Sequence, residues 1–193
     1  MTTAAKMDRA ALRAMFAVPA DGRFGRAKVM PLEDAIRAFV EPGMMLHFAY
    51  SEGRPMAASN ALVRVFAGRD PGFTIVSAGL VSNQAALVTE RIARKLVVSF
   101  VGDNYPTPGP NRQFQAAIDS GAVEIDNHSL LVISQRLAAG AYGFPFAPTR
   151  SWGQSSMAGN PSYAEIDDPF GTGERIGVVR PLVPDITFVH GLA

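Results

Sequence analysis

The chain has 193 residues, 48% of them hydrophobic and 18% charged, with a formal net charge of +1 and no cysteine. That length and balance suit one globular domain with a sizeable core, and no apolar run is long enough to span a bilayer. The near-zero charge excludes an electrostatic nucleic-acid or membrane-surface binder, and the missing cysteine excludes disulfides, thiolate metal sites and a cysteine nucleophile.

Residues 1–27 read as an N-terminal helical extension. Lys6, Asp8, Arg9 and Arg13 precede only a short apolar stretch, Ala14 to Ala20, too short for a signal peptide. A cytoplasmic location is expected. A helix follows from Pro31 to Val40, with proline at its first position, Glu33 and Asp34 at its positive end, and Leu32, Ile36, Phe39 and Val40 on one stripe. Pro42-Gly43 stops it.

Strands are expected at Met44–Ala49, Phe73–Ser77, Lys95–Val101 and Ala122–Ile125. Helices are expected from Pro55 to about Ala67, from Asn83 to Arg91, from the cap Asn111 to just before Gly121, and over Ser129–Ala139, with Gly140 as the stop. A polar stretch from Pro148 to about Glu174 reads as a long loop. Two apolar segments, Ile176–Val179 and Ile186–His190, close the chain.

Strand-then-helix alternation with short connections implies right-handed crossovers. The fold class is therefore α/β, with an open, mainly parallel sheet and helices on both faces, which explains why the strands are continuous apolar runs. Ligands bind such sheets beyond the carboxyl ends of the strands. That directs attention to the loops at 50–54, 78–83, 102–111 and 148–173.

The first of these holds Ser51, Glu52, Gly53 and Arg54 before a helix start, where glycine and unpaired N–H groups allow a carbonyl oxygen or phosphate to approach. An ordinary strand-to-helix turn is the competing reading. Gly79 breaks the second strand. Gly102 and Asn104 lie in a proline-stiffened loop that suits a substrate channel wall or a rigid surface connection. Arg150 offers bidentate recognition of a carboxylate or phosphate, or a salt bridge to one of the acids at 165–168, and Ser151 stands beside it. His47 and His190 fall in apolar strands and read as structural, and His128 stands apart. No metal motif or nucleophile elbow occurs, and a solvated loop competes with a cation site at Glu165, Asp167 and Asp168.

The order of short segments resembles family I coenzyme A transferases, in particular the A-type half of the glutaconate enzymes. The matching stretches are Lys28-Val-Met-Pro-Leu-Glu-Asp-Ala-Ile, Arg54-Pro-Met-Ala, Ser99-Phe-Val-Gly, Gly109-Pro-Asn-Arg-Gln-Phe, Ser120-Gly-Ala-Val-Glu, Gly143-Phe-Pro-Phe-Ala-Pro-Thr-Arg-Ser, Asn160-Pro, Asp168-Pro-Phe and Arg180-Pro-Leu-Val-Pro-Asp-Ile-Thr-Phe-Val-His. Each is short; their collinearity from Lys28 onward carries the resemblance.

The resemblance implies a sugar-phosphate isomerase-like α/β domain over 28–193 and a hetero-oligomer with a B-type subunit. It also implies acyl-CoA and a carboxylic acid as substrates, with coenzyme A as substrate and no separate cofactor. The nucleophilic glutamate belongs to the B-type half in that family, so this half is expected to supply channel walls and acyl contacts. Ser51, Gly53, Arg54, Gly79, Gly102, Asn104, Asn111, Arg150 and Ser151 are the substrate-binding candidates, and Glu52 is a candidate for a chemical role. Two departures stand out. Ala49-Tyr-Ser-Glu-Gly-Arg-Pro replaces the family's glycine-rich run, and the chain stops at His190-Gly-Leu-Ala where family members continue, so an incomplete domain with an unpaired sheet edge is expected. A CoA-ester hydrolase or ring-opening enzyme of the same fold is the enzymatic alternative. A non-catalytic acyl-CoA-binding or assembly subunit is the other.

Overall fold

A computed structural model describes residues 29–50, 53–103 and 107–191. The expected helix within 1–27, and the candidates Ser51, Glu52 and Asn104, lie outside the described residues. The chain divides into a unit spanning Met1–Pro31 and a compact unit spanning Leu32–Ala193.

Helix α1 (Leu32–Phe39) starts with Glu33 and Asp34 in its first turn and buries Ile36. It leads to strand β1 (Met45–Phe48). Helix α2 (Met56–Phe66) follows Pro55 and buries Ala58, Ala61, Leu62, Val65 and Phe66. Strand β2 is Phe73–Ser77, as its bounding Pro71-Gly72 and Gly79 suggest. The helix expected over Asn83–Arg91 is shorter: a 3-10 turn at Ser82–Gln84 runs into α3 (Ala86–Thr89). Strand β3 is Ala93–Val98.

Helix α4 (Arg112–Asp119) has Asn111 as its N-cap, the side chain accepting from the backbone N–H groups of Gln113 and Phe114. Strand β4 is Glu124–Asn127, two residues later than the apolar run alone suggests. Helix α5 (Leu130–Tyr142) is capped by Ser129 and ends at Gly143, which adopts φ 69°.

Gly140 does not end α5, contrary to the sequence expectation. It sits inside the helix, and its bare Cα lets the Leu182 carbonyl approach so closely that a side chain there would overlap it. Gly143 supplies the left-handed residue that ends the helix.

The stretch from Pro148 to Glu174 is also not structureless. It holds β5 (Ala147–Thr149), a 3-10 turn at Ser156–Gly159 and β6 (Tyr163–Asp167). Both strands pair antiparallel with β7 (Arg175–Val179), in the order β5-β7-β6. Gly177 is the contact point: a Cβ there would stand 2.7 Å from the Thr149 carbonyl oxygen and 2.8 Å from the Tyr163 ring. Trp152 is fully buried beneath this sheet with Val132, Ala139 and Val179.

Strand β8 (Ile186–Phe188) returns to the main sheet. Its five strands run in the order β4-β3-β2-β1-β8, and every neighbouring pair is parallel. One face packs Leu46, Phe48, Ile75, Leu96 and Val98 beneath α1 to α4. On the other face Val76 and Val97 meet Leu182 and Leu137 of α5. Helices thus cover both faces, as a fully parallel sheet requires.

The order of strands fixes where a site can form. From β1 the chain steps sideways through β2 and β3 to β4, then crosses by α5 and returns to the opposite flank of β1. The direction reverses between β1 and β8, which makes the crevice beyond their carboxyl ends the topological switch point.

Candidate functional site

Gly53 and His190 meet at that crevice. The Cδ2 edge of the imidazole fills the space that a side chain at 53 would occupy, and Nε2 would stand 3.3 Å from such a Cβ. His190 follows the last strand, is exposed, and is not inside it as its apolar neighbours suggest. His47 lies within β1, its Nδ1 3.4 Å from Thr187 Oγ1 on β8. Burial holds its imidazole below the usual histidine range.

Arg54 comes next along the rim. Its guanidinium donates to the Tyr50 hydroxyl at 2.9 Å and lies 4.7 Å from the centroid of the same ring. Gly79, beyond β2, sits beside that ring: a Cβ on it would be 3.4 Å from Tyr50 and 3.5 Å from Phe100. The loops after β1, β2 and β3 therefore share one wall of Tyr50, Gly79 and Phe100.

Gly102 adopts φ 158° and packs on the backbone of Gly109, where a Cβ would come 2.6 Å from the carbonyl oxygen. Asp103 and Gly109 exchange both backbone hydrogen bonds at 2.9 Å, closing the proline-rich loop. The Asp103 carboxylate then accepts from the Ser82 hydroxyl, from the Ser82 N–H at 2.8 Å and from Asn111 Nδ2 at 3.2 Å. Those bonds, led by the Ser82 hydroxyl, hold its carboxyl below the usual carboxylate range. Asn111 also caps α4 and donates to Ser82 Oγ at 2.9 Å. Its side chain is thus committed to the wall that holds the rim in place.

Arg150 and Ser151 belong to another part of the molecule. Arg150 is exposed and lies 3.6 Å from Glu174, so its acid partner is not among those at 165–168. Ser151 Oγ meets Ser129 Oγ at 2.9 Å, at the start of α5 just past β4. That touches the rim only at its β4 end, three strand spacings or about 14 Å from β1. Both residues line a groove of about 1040 Å³ over the antiparallel sheet, with Tyr163, Glu165, Glu174 and Arg175.

A buried polar cluster at the β4 end was not legible in the sequence. His128, stacked on Trp152 at 4.9 Å, places Nε2 3.0 Å from Asp126 and 2.9 Å from Arg136. One nitrogen serves one partner at a time: unprotonated it accepts from Arg136, protonated it donates to Asp126. Asn160 donates to Asp126 at 2.7 Å, and Arg136 donates to the Arg180 carbonyl at 2.9 Å. Burial pushes the Asp126 carboxyl up, but the bonds from His128 and Asn160, with the charges of His128 and Lys95, outweigh it and bring it down to about 2. The cluster welds β4 and α5 to the antiparallel sheet.

Among the described residues, no cluster of His, Asp and Glu side chains is arranged to hold a metal ion, and no helix is long and apolar enough to cross a membrane. Tyr50 and Phe100 are rim residues that sequence reasoning did not single out, and His190 is one that it read as structural. The i, i+4 spacing of Tyr50 and Arg54 across a turn was the available signal for the first, and position just after a strand for the other two.

Known proteins match this chain in sequence and in fold. The chain is 31% identical over 169 residues to the A-type chain of 3-oxoadipate CoA-transferase from Pseudomonas knackmussii, a match covering 85% of this chain and 58% of that one. The glutaconate coenzyme A-transferase of Acidaminococcus fermentans superposes with TM-score 0.69 at 21% identity, over 81% of this chain and 54% of its own. The decarboxylase AibA/AibB shares the fold to the same TM-score of 0.69 at 22% identity, over 82% of this chain and 60% of its own. This chain thus spans little more than half the length of the relatives it matches. The family model for coenzyme A transferase matches residues 29–192, from the start of the described residues through His190 at the crevice, and the chain belongs to that family.

Proposed function

We propose that this chain is the A-type half of a cytoplasmic CoA transferase, working with a B-type subunit that carries the nucleophilic glutamate. Coenzyme A is a substrate of the reaction, and no separate cofactor takes part. The observation that carries this reading is the match to the A-type chain of a CoA-transferase over 85% of the sequence.

The state of the carboxylates near the rim supports the division of labour. Asp103 is engaged by Ser82 and Asn111, and Asp126 by His128 and Asn160. Neither is placed to attack a thioester. In the proposed reaction the nucleophile is the partner's: its glutamate oxygen attacks the acyl-CoA carbonyl, the tetrahedral adduct expels CoA thiolate, and a mixed anhydride remains. The thiolate attacks the glutamyl carbonyl and releases the first acid as its carboxylate. The acceptor carboxylate reverses the sequence, so a thioester is exchanged for a thioester without a net proton. This chain's rim lines the channel, with Tyr50, Gly79 and Phe100 as an apolar wall.

The test is co-expression with the B-type chain, followed by a CoA-exchange assay over a panel of carboxylic acids. Hydroxylamine or borohydride added with acyl-CoA is expected to trap the glutamyl thioester on the B-type chain. Steady release of free CoA without exchange would overturn the reading, as would full activity of the B-type chain alone.

A further inference from the structure

Helix α5 turns its polarity inside out. At about 100° per residue its side chains divide into two arcs. Val132, Ile133, Arg136 and Ala139 fall on one arc and are buried. Leu130, Leu131, Ser134, Ala138, Ala141 and Tyr142 fall within about 120° on the other and are all exposed. Arg136, the only charged residue of the helix, is thus on the inner side, held by His128 and the Arg180 carbonyl. The outer arc carries no charge. The other described helices do show charge to water: Asp34 and Arg37 on α1, Arg64 on α2, Arg112 and Asp119 on α4, and Glu90 at the end of α3.

The apolar face continues past the helix. Tyr142 and Phe144 pack ring against ring with centroids 5.5 Å apart, and Phe146 follows them. Val183 joins from the side: a Cβ on Gly140 would stand 3.1 Å from its Cγ2. Leu130, Leu131, Tyr142, Phe144, Phe146 and Val183 are each between 42% and 73% exposed. At about 200 Å² for a large apolar side chain, they leave on the order of 600 Å² in water, the upper end for the largest patch on a monomer. One partner contributes about 800 Å² to a standard protein interface, so most of one bank is already present. The face runs for about 20 Å along α5.

We propose that the outer face of α5, with Tyr142, Phe144 and Phe146 at its far end, is where the B-type subunit docks. Its position selects that occupant. Leu130 and Leu131 open the helix three residues after β4 ends at Asn127, so a partner seated on α5 stands beside the carboxyl edge of the main sheet. The rim needs such a neighbour, because Asp103 and Asp126 are both engaged in hydrogen bonds of their own. A second copy of this chain would bring the same engaged carboxylates and complete nothing. The fitting surface on the partner is apolar and aromatic, since an uncharged arc offers no counter-charge to an ion buried against it. The identity of the occupant rests on the CoA-transferase reading, and the existence of the face does not.

The full chain is titrated with the B-type chain, and association and CoA exchange are measured at each concentration. Leu131→Glu and Tyr142→Glu are each expected to raise Kd by at least about 30-fold, because docking would bury an unpaired carboxylate. At saturating B-type chain, kcat should stay within about twofold of wild type. Both positions are exposed and helical, so the circular dichroism and Tm of the chain alone should match wild type. Phe39→Glu, an equally apolar and exposed position on α1, should leave Kd unchanged. Wild-type affinity in the two α5 variants would overturn the inference, as would equal weakening by Phe39→Glu. Self-association of this chain that Leu131→Glu abolishes, with binding of the B-type chain intact, would give the face to a second copy and overturn it as well. Association that depends on α5 in a complex with no CoA exchange would uphold the docking face while removing the transferase reading. Exchange by the α5 variants at wild-type concentrations would do the reverse.

Discussion

His190 and Gly53 touch across the crevice between β1 and β8, the edge of the imidazole resting where a β-carbon at 53 would be. The two residues lie at opposite ends of the fold's main chain path, yet they set the width of one opening. A β-carbon at 53 would overlap the imidazole, so the position uses the smallness of glycine.

Gly53→Ala is therefore expected to act through His190. The imidazole is exposed and can swing aside, so stability should change by less than about 1 kcal/mol. CoA exchange should fall by about tenfold as the displaced imidazole leaves its place at the crevice. The double variant Gly53→Ala with His190→Ala should recover most of that loss, because the overlap is gone. A double-mutant cycle on kcat/KM measures the coupling, and additive effects would show that the contact is incidental.

Gly177→Ala should be much more damaging to the fold. Its Cβ would stand 2.7 Å from a backbone carbonyl oxygen and 2.8 Å from the Tyr163 ring, and backbone cannot swing aside. Overpacking of this kind costs about 2–3 kcal/mol. Thermal or urea unfolding measures it. Trp152, buried beneath the same sheet, gives a fluorescence probe of the local change.

Asp126 makes the acid limb of stability predictable. Its carboxyl titrates at about 2 in the folded protein, below the ordinary aspartate value. A depressed carboxylate contributes in full above about pH 4, and the contribution is lost as pH falls toward the folded value. Its side chain is only 17% exposed, so the loss is of the order of 2 kcal/mol. Asp126→Asn should flatten this part of the pH–stability curve. At neutral pH it should cost about 3 kcal/mol, because buried Arg136 loses its counter-charge. Urea unfolding between pH 2 and pH 7 tests both statements.

Asn111→Ala removes the α4 cap together with the bonds to Ser82 and Asp103. A cap alone is worth about 1 kcal/mol, and the linked bonds bring the expected cost to about 2 kcal/mol. Ser82→Ala should cost less, because the cap survives it. Equilibrium denaturation of both variants ranks them.

The elements built from local signals were readable in the sequence. Phe73–Ser77 is a strand because an apolar run stands between Pro71-Gly72 and Gly79, and Asn111 caps because a side-chain oxygen precedes an apolar stripe. What failed depended on distant partners. Gly140 and Gly143 are alike in sequence, and only the Leu182 carbonyl, some forty residues on, decides that the first is a packing contact. β6 looked like a polar loop because its outer face meets water, and its identity as a strand comes from pairing with β7. His128 gave no motif because Arg136, Asp126 and Trp152 converge on it only in three dimensions. Arg150, singled out for its chemistry, is tied to Glu174 on the far sheet, while Arg54 holds the position at the rim.

Placing the first and last strands of this sheet side by side has a consequence for biosynthesis. Met45 donates its N–H to the Asp185 carboxylate at 2.7 Å, and Asp185 donates back to the Met45 carbonyl at 2.9 Å, across a separation of 140 residues. The helices between can pack as they emerge from the ribosome, but the opening beside β1 has only one bank until residues 185–190 have been translated. A nascent chain arrested before that point carries the whole inner scaffold and still presents β1 as an unpaired edge, the segment on which a chaperone would find purchase.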